Sequence, residues 1–175
     1  MKTEKNLSKA HVITWYGPFC KIEEVEEWER SQKMNFHLYL LQGKQRSAKK
    51  YSYYCGKTER SISARFRDKD HNIHRLKSNL HIWIGAFDNR FKIEDISIIE
   101  NLLIYLLADG INEAQLMNKN NLDFISPNNI CLFNKWHNPN SYKHPDNPIK
   151  SALPEVVVYD AVKDRVKVSK KLHAL

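Results

Sequence analysis

The sequence predicts an α+β domain on a small, largely antiparallel central sheet flanked by helices, with a helix added before the core and a hairpin after it. Three observations carry this. Aromatic-rich strand-like runs alternate with segments whose apolar residues recur at helical spacing. A short basic connection joins the first two runs, as in a hairpin. The chain of 175 residues is 42% apolar, enough for one core and close to the size of one domain.

The elements follow in order. From Ile22 to Gln32, the residues Ile22, Val25 and Trp28 recur at helical spacing among five glutamates, an acidic helix with one packed stripe. Phe36 to Leu41 and Tyr51 to Cys55 read as strands joined through GKQRSAKK. Ser61 to about Lys69 reads as a helix packed through Ile62 and Phe66, with Arg60, Arg65, Arg67 and Lys69 around them. Leu80 to Phe87 is a third strand, and Ile93 to Ala108 a long apolar helix entered through Glu94 and Asp95. A short helix and a turn are expected after Gly110. His137 to Pro154, rich in Pro and Asn, reads as irregular, and Glu155 to Asp160 with Arg165 to Ser169 as a terminal hairpin. The predicted organisation is an extension over 1–35, a core over 36–125 and a loop-rich extension over 126–175, all in one compact unit.

Charge narrows the partners. With 28 Lys and Arg against 20 Asp and Glu, the net charge is +8, which favours an anionic partner, nucleic acid first. Cys20, Cys55 and Cys131 are odd in number and lack metal-ligand spacing, which indicates neither a disulfide framework nor structural zinc and suits the reduced cytoplasm. No apolar run approaches the roughly 18 residues that span a bilayer, and the polar start MKTEKNLSKA has no hydrophobic signal core, so a soluble protein is expected. The tryptophans Trp15, Trp28, Trp83 and Trp136 form no cluster suited to stacking bases and are expected to pack.

One residue does not suit its helix. On a helical wheel Ile96, Leu103, Ile104 and Leu107 surround Glu100, so a carboxylate is aimed into the most apolar arc. Burying a charge is costly unless it is paired, protonated or bound to a cation. A buried ion pair, with Arg65 for instance, is one solution, and a metal is another.

Four short patterns then fall in order over the middle of the chain: His37-Leu38-Tyr39, Tyr54-Cys55-Gly56, Arg65 within GKTERSISARF, and Glu100 within IIENLLIYL. The set resembles the GIY-YIG nuclease family, in which two tyrosine motifs on neighbouring strands precede an arginine-bearing helix and a later glutamate helix. His37, Leu38 and Cys55 depart from the family's residues at backbone or packing positions. The family asparagine has Asn118 as its candidate, in competition with Asn120 and Asn121. An auxiliary polar residue after the arginine falls on Lys69, His71 or His74, of which His71 is the candidate.

The resemblance implies hydrolysis of DNA phosphodiester bonds with Mg2+ or Mn2+. In that scheme Glu100 holds the metal, Tyr39 is the general base, and Tyr54 orients water or phosphate. Arg65 presents a planar fork to the transition state, and Arg65 and Lys57 lower the Tyr39 pKa. Gly56 allows close approach at its strand end. Lys44, Arg46, Lys49 and Lys50 in the hairpin turn, with Arg60, Arg67, Lys69, Arg75 and Lys77, are the candidate DNA contacts. The terminal hairpin adds Lys163, Arg165, Lys167, Lys170 and Lys171, which either widen that surface or finish the fold. Cutting both strands with one active site requires a dimer or successive nicks. Two alternatives stand beside the nuclease: a catalytically inactive nucleic-acid-binding module of the same fold, and a protein-interaction domain whose acidic helix takes a basic partner.

Overall fold

Aromatic and β-branched runs supply the strands, and apolar stripes at helical spacing supply the helices that cover them. The structure, a computed structural model, describes residues 9–32, 35–88, 91–111, 115–139, 149 and 153–169. Along the chain come β1 (Lys9–Phe19), α1 (Ile22–Ser31), β2 (Leu38–Gln45), β3 (Ser52–Lys57), α2 (Ile62–Phe66), a 3-10 turn (Asn72–Arg75), β4 (Leu76–Phe87), α3 (Ile93–Gly110), β5 (Ile130–His137), β6 (Val156–Asp160) and β7 (Arg165–Ser169).

The sheet is larger than expected and mixed. Seven strands pair in the order β3-β2-β4-β1-β5-β6-β7, and β1 runs parallel to β5 while the other neighbours are antiparallel. β1 and β5 were not expected, and together they join the two ends of the chain to the middle. The residues read as extensions therefore belong to the same sheet as the core. A buried polar link locks this pair: Trp15 Nε1 donates to Asn134 Oδ1 at 2.9 Å, and Asn134 Nδ2 donates to the Pro154 carbonyl at 2.9 Å.

Each face of the sheet buries its own core. On one face α3 packs Ile99, Leu102, Leu103 and Leu106 against Leu38, Leu40, Cys55, Trp15 and Trp83. Asp95 fixes the start of α3 by accepting from the Lys92 backbone at 3.0 Å and from Lys9 Nζ on β1 at 2.7 Å. On the other face Tyr39, Leu41, Ile82 and Ile84 pack with Val25 of α1, Ile62 and Phe66 of α2, and Ile73 of the 3-10 turn. Glu29 of α1 receives the Ile62 and Ser63 backbone N–H groups at 2.8 and 3.2 Å, capping the five-residue α2 with a carboxylate from another helix. The acidic helix is thus a scaffold element whose charges hold its neighbours.

The free side of β3 is closed off. Residues 115–118 run beside it: the Met117 N–H donates to the Tyr53 carbonyl at 2.8 Å, and Gln115 Nε2 to the Tyr51 carbonyl at 2.9 Å. The Asn118 amide completes the row by accepting from the Cys55 N–H at 2.9 Å and donating to its carbonyl at 2.8 Å. The short helix expected after Gly110 falls on residues 112–114, outside those described, and on Gln115, which is in a 3-10 turn; Leu116 then bridges to Tyr53. Most of His137 to Pro154, with Lys170 and Lys171, also lies outside the described residues. Among the described residues no helix is long and apolar enough to cross a membrane. All three cysteines are free thiols.

Candidate active site

Tyr39 and Gly56 are register partners on β2 and β3, and this pairing makes the site possible. A Cβ built on Gly56 would lie 2.5 Å from both Cζ and Oη of Tyr39. Only a residue without a side chain lets the phenol lie across the strand end. The close approach anticipated for Gly56 is therefore to the neighbouring tyrosine. Tyr39 is 1% exposed, and its ring sits edge-on to Phe66 at 5.0 Å between centroids and 6.1 Å from the Tyr54 ring.

Two groups act on the Tyr39 hydroxyl, one by a hydrogen bond and one by its charge. His71, 3% exposed, accepts the Ile73 N–H at Nδ1 at 3.2 Å, and its Nε2 lies 2.9 Å from Tyr39 Oη. Because Nδ1 is occupied as an acceptor, the neutral ring carries its proton on Nε2, which donates to Tyr39. Burial, reinforced by the Arg65 charge, lowers the His71 pKa to about 4, so the ring is neutral in this role. The Arg65 guanidinium also acts on this hydroxyl, favouring its charged form. Burial nevertheless raises the Tyr39 pKa well above that of an ordinary phenol, with Tyr54 adding to it and Arg65 only partly offsetting it. The expectation that nearby cations lower this pKa is overturned by desolvation of the ring.

Arg65 is also held by Asp68 Oδ2, and Arg60 binds the same oxygen. That hydrogen bond raises the Arg65 pKa further and holds the Asp68 carboxyl below its usual range. Among the three candidates for the auxiliary position, His71 meets Tyr39. His74 Nε2 instead contacts the Asp68 carbonyl at 2.9 Å, and Lys69 is exposed.

Glu100 approaches from the opposite face. It stands on α3, whose buried residues pack with Cys55 and Leu40, whereas Tyr39 and Tyr54 belong to the other core. Its side chain is 14% exposed, and its Oε2 lies 3.9 Å from Lys57 Nζ at the end of β3. The Lys57 ammonium and backbone both favour the charged carboxylate, but burial outweighs them and raises the Glu100 pKa. The buried ion pair suggested with Arg65 does not form, since Arg65 turns to Asp68 and Lys57 is the cation near Glu100. Lys57 Nζ also bonds Ser97 Oγ, one turn before Glu100 on α3.

A cleft of about 540 Å³ joins the two groups: Lys57, Thr58, Glu59, Arg60 and Arg65 line one side, and Ile93, Ile96 and Ser97 of α3 the other. Its walls thus include the arginine that acts on Tyr39 and the lysine and serine that flank Glu100. Comparison with protein-family models, with curated proteins and with solved structures found no match.

The structure draws Tyr39, Tyr54 and His71 into one contact group with Arg65 beside it, and pairs Glu100 with Lys57, which lines the same cleft as Arg65, on the opposite face of the sheet. Asn118 reaches neither, because both ends of its amide are taken by the Cys55 backbone, and Asn120 and Asn121 are exposed. The asparagine holds the strand that carries Tyr54 and Gly56, a supporting role in place of the catalytic one expected. Arg67 pairs with Glu26 and Arg60 with Asp68, so these two expected DNA contacts are already charge-paired. Asp68, Ser97 and Glu29 were missed. Only Asp68, three residues after Arg65 on a helical stretch, carried a local signal.

Proposed function

We propose that the chain is a divalent-metal-dependent endonuclease hydrolysing DNA phosphodiester bonds, with Tyr39 as general base, Arg65 stabilising the transition state and Glu100 holding the metal. One observation carries the reading: the Tyr39 oxygen receives His71 Nε2–H at 2.9 Å under the charge of Arg65, and Arg65 lines a cationic cleft together with Lys57, the cation nearest Glu100. A donor on the phenol oxygen and a guanidinium charge beside it both favour the phenolate, the form that takes a proton from water. The ordered likeness to the GIY-YIG nucleases, with its implied GIY-YIG-like core, supports the same chemistry.

The residues divide the work as follows. Tyr39 as phenolate removes a proton from the attacking water, whose oxygen bonds to phosphorus as the bond to the 3′ oxygen breaks. His71 cannot take that proton onward, because its Nε2 is already protonated, so it positions the phenol. Arg65 keeps one nitrogen on Asp68, and the rest of its donor fork serves phosphate oxygens whose charge grows in the transition state. Tyr54, whose hydroxyl has no partner among the described residues, is available to orient the phosphate or the water.

Magnesium or manganese suits Glu100. The carboxyl is largely buried with its pKa raised, and its nearest cation, at 3.9 Å, lies beyond direct hydrogen-bond distance, so a hard cation would relieve the cost of its charge. No group of three His, Cys, Asp or Glu side chains converges among the described residues. Glu100 would thus be the protein's ligand, with water and phosphate oxygens as the others. When bound, the ion supplies Lewis acidity toward the leaving oxygen.

A DNA-binding module without turnover is the second reading, favoured by the raised Tyr39 pKa and by the hold of Asp68 on Arg65. Supercoiled plasmid incubated with and without Mg2+ separates the two. The nuclease nicks it only with the ion, and Glu100→Ala abolishes nicking while leaving the circular dichroism spectrum unchanged. Unaltered nicking by that variant removes Glu100 from the mechanism. A wild-type protein that binds DNA and cuts with no divalent ion is the second reading.

A further inference from the structure

The positive charge of this chain is unevenly spent. Around the cleft the cations are matched: Lys57 lies by Glu100, Arg60 and Arg65 share Asp68, and Arg67 binds Glu26. At the other end of the β2–β3 hairpin they are not. Lys44, Arg46, Lys49 and Lys50 occupy the turn and its flanks, and the register of Lys44 with Ser78 and Gln45 with Leu76 brings Arg75 and Lys77 alongside. Residues 42–52 and 71–81 contain no Asp or Glu, and none of these six cations joins an ion pair among the described residues. Five are exposed, while Lys44 is half-buried with its Nζ 5.3 Å from the centre of the Tyr51 ring.

We propose that this acid-free end of the hairpin is a second docking surface for duplex DNA, set apart from the cleft, so that the substrate must extend several base pairs to one side of the bond that is cut. Tyr39 and Arg46 are seven residues apart along β2 and its turn. At ~3.3 Å per residue this separation is about 23 Å, or about seven base pairs at ~3.4 Å each. Unpaired exposed cations release counterions from phosphates without first breaking a protein ion pair, so affinity gathers here while chemistry stays at the cleft.

Other polyanions fit less well. Among the described residues the exposed large apolar side chains are Ile93, Leu122, Ile125, Val162 and Val168, none of them in the hairpin turn or beside Arg75 and Lys77, so the described part of this surface offers no apolar side chain to a lipid. Tyr51 lies under Lys44, and its hydroxyl takes the Asn79 amide at 3.3 Å, leaving no bare ring for stacking single-stranded bases. The choice of DNA over duplex RNA rests on the proposed cleavage of DNA.

The test is a binding measurement in EDTA, where no cutting occurs. Labelled duplexes of about 20 and about 6 base pairs are titrated with the full chain at about 50 and 200 mM salt. The turn variant combines Lys44→Gln, Arg46→Gln, Lys49→Gln and Lys50→Gln, and the control combines Lys163→Gln, Arg165→Gln and Lys167→Gln on the terminal hairpin. If four phosphate contacts are lost, the advantage of wild type over the turn variant on the long duplex shrinks on the order of 100-fold between the two salt concentrations. Lys49→Gln with Lys50→Gln alone, both side chains being exposed, gives about 10-fold, which covers a misfolded fourfold variant. The control shows little of this effect on either duplex. Equal losses in turn variant and control, equal affinity for both lengths, no duplex binding, or tighter binding to duplex RNA or anionic vesicles each overturn the proposal. Plasmid nicking that survives the turn variant undiminished removes this surface but not the nuclease, whereas length-dependent binding without any nicking leaves the surface and removes the nuclease.

Discussion

Acidifying the solution should cost this fold a calculable amount of stability through one imidazole. His71 is 3% exposed, its Nδ1 is occupied by the Ile73 N–H, and its pKa falls from 6.5 to about 4 in the folded chain. The folded state therefore binds this proton less readily than the unfolded chain. The resulting stabilisation is complete above the unfolded pKa near 6.5 and drains away as pH falls toward 4. At ~1.4 kcal/mol per tenfold difference in proton affinity, the full effect is about 3 kcal/mol, of which about 2 kcal/mol is gone by about pH 5. The assay is urea unfolding of wild type and His71→Asn at about pH 8 and 5. Asparagine keeps an acceptor for the start of the 3-10 turn but does not titrate, and the other ionisable groups cancel in the comparison. The stability gap between the two proteins should narrow by about 2 kcal/mol on acidification. Identical pH dependence in both would refute the claim that His71 is buried neutral.

Two further outcomes follow from the same group of side chains. Because burial holds Tyr39 as a neutral phenol, a rate that needs its phenolate should climb about tenfold per pH unit through neutrality into the alkaline range, and Tyr39→Phe should lose both the rate and the slope; a flat wild-type profile would remove Tyr39 as the base. Gly56→Ala sets a methyl group 2.5 Å from the Tyr39 ring head, which should cost ~1–3 kcal/mol in thermal or urea unfolding and displace the phenol; unchanged stability together with full nicking activity would contradict that packing.

What could be read in the sequence followed its local periods. The α1 stripe, the β2–β3 hairpin, α3 and the terminal hairpin each carry their own signal, and each lies within a few residues of its expected span. β1 and β5 escaped notice for a common reason. Both lie inside the sheet, and β1 buries side chains on both faces, so its pattern lacks the alternation of a half-buried strand; Gly17 and Pro18 disguise it further. Their pairing is parallel and joins residues more than 100 positions apart, which no local window reveals. The site divided in the same way. The inward aim of Glu100 could be read from its helix, whereas the contact of Tyr39 with His71, 32 residues later, depends on tertiary packing. That packing also decided the Tyr39 pKa, because a sequence lists the cations near a phenol but not the solvent it loses.

The amide of Asn118 and the backbone of residues 115–118 leave β3 with no row of open donors and acceptors, so among the described strands only β7 ends the sheet without such a cover. A sheet with one sealed margin cannot polymerise by stacking copies edge to edge, because each added molecule would need two sticky sides. Self-association through β7 alone would stop at a two-fold pair instead of running on as a fibre.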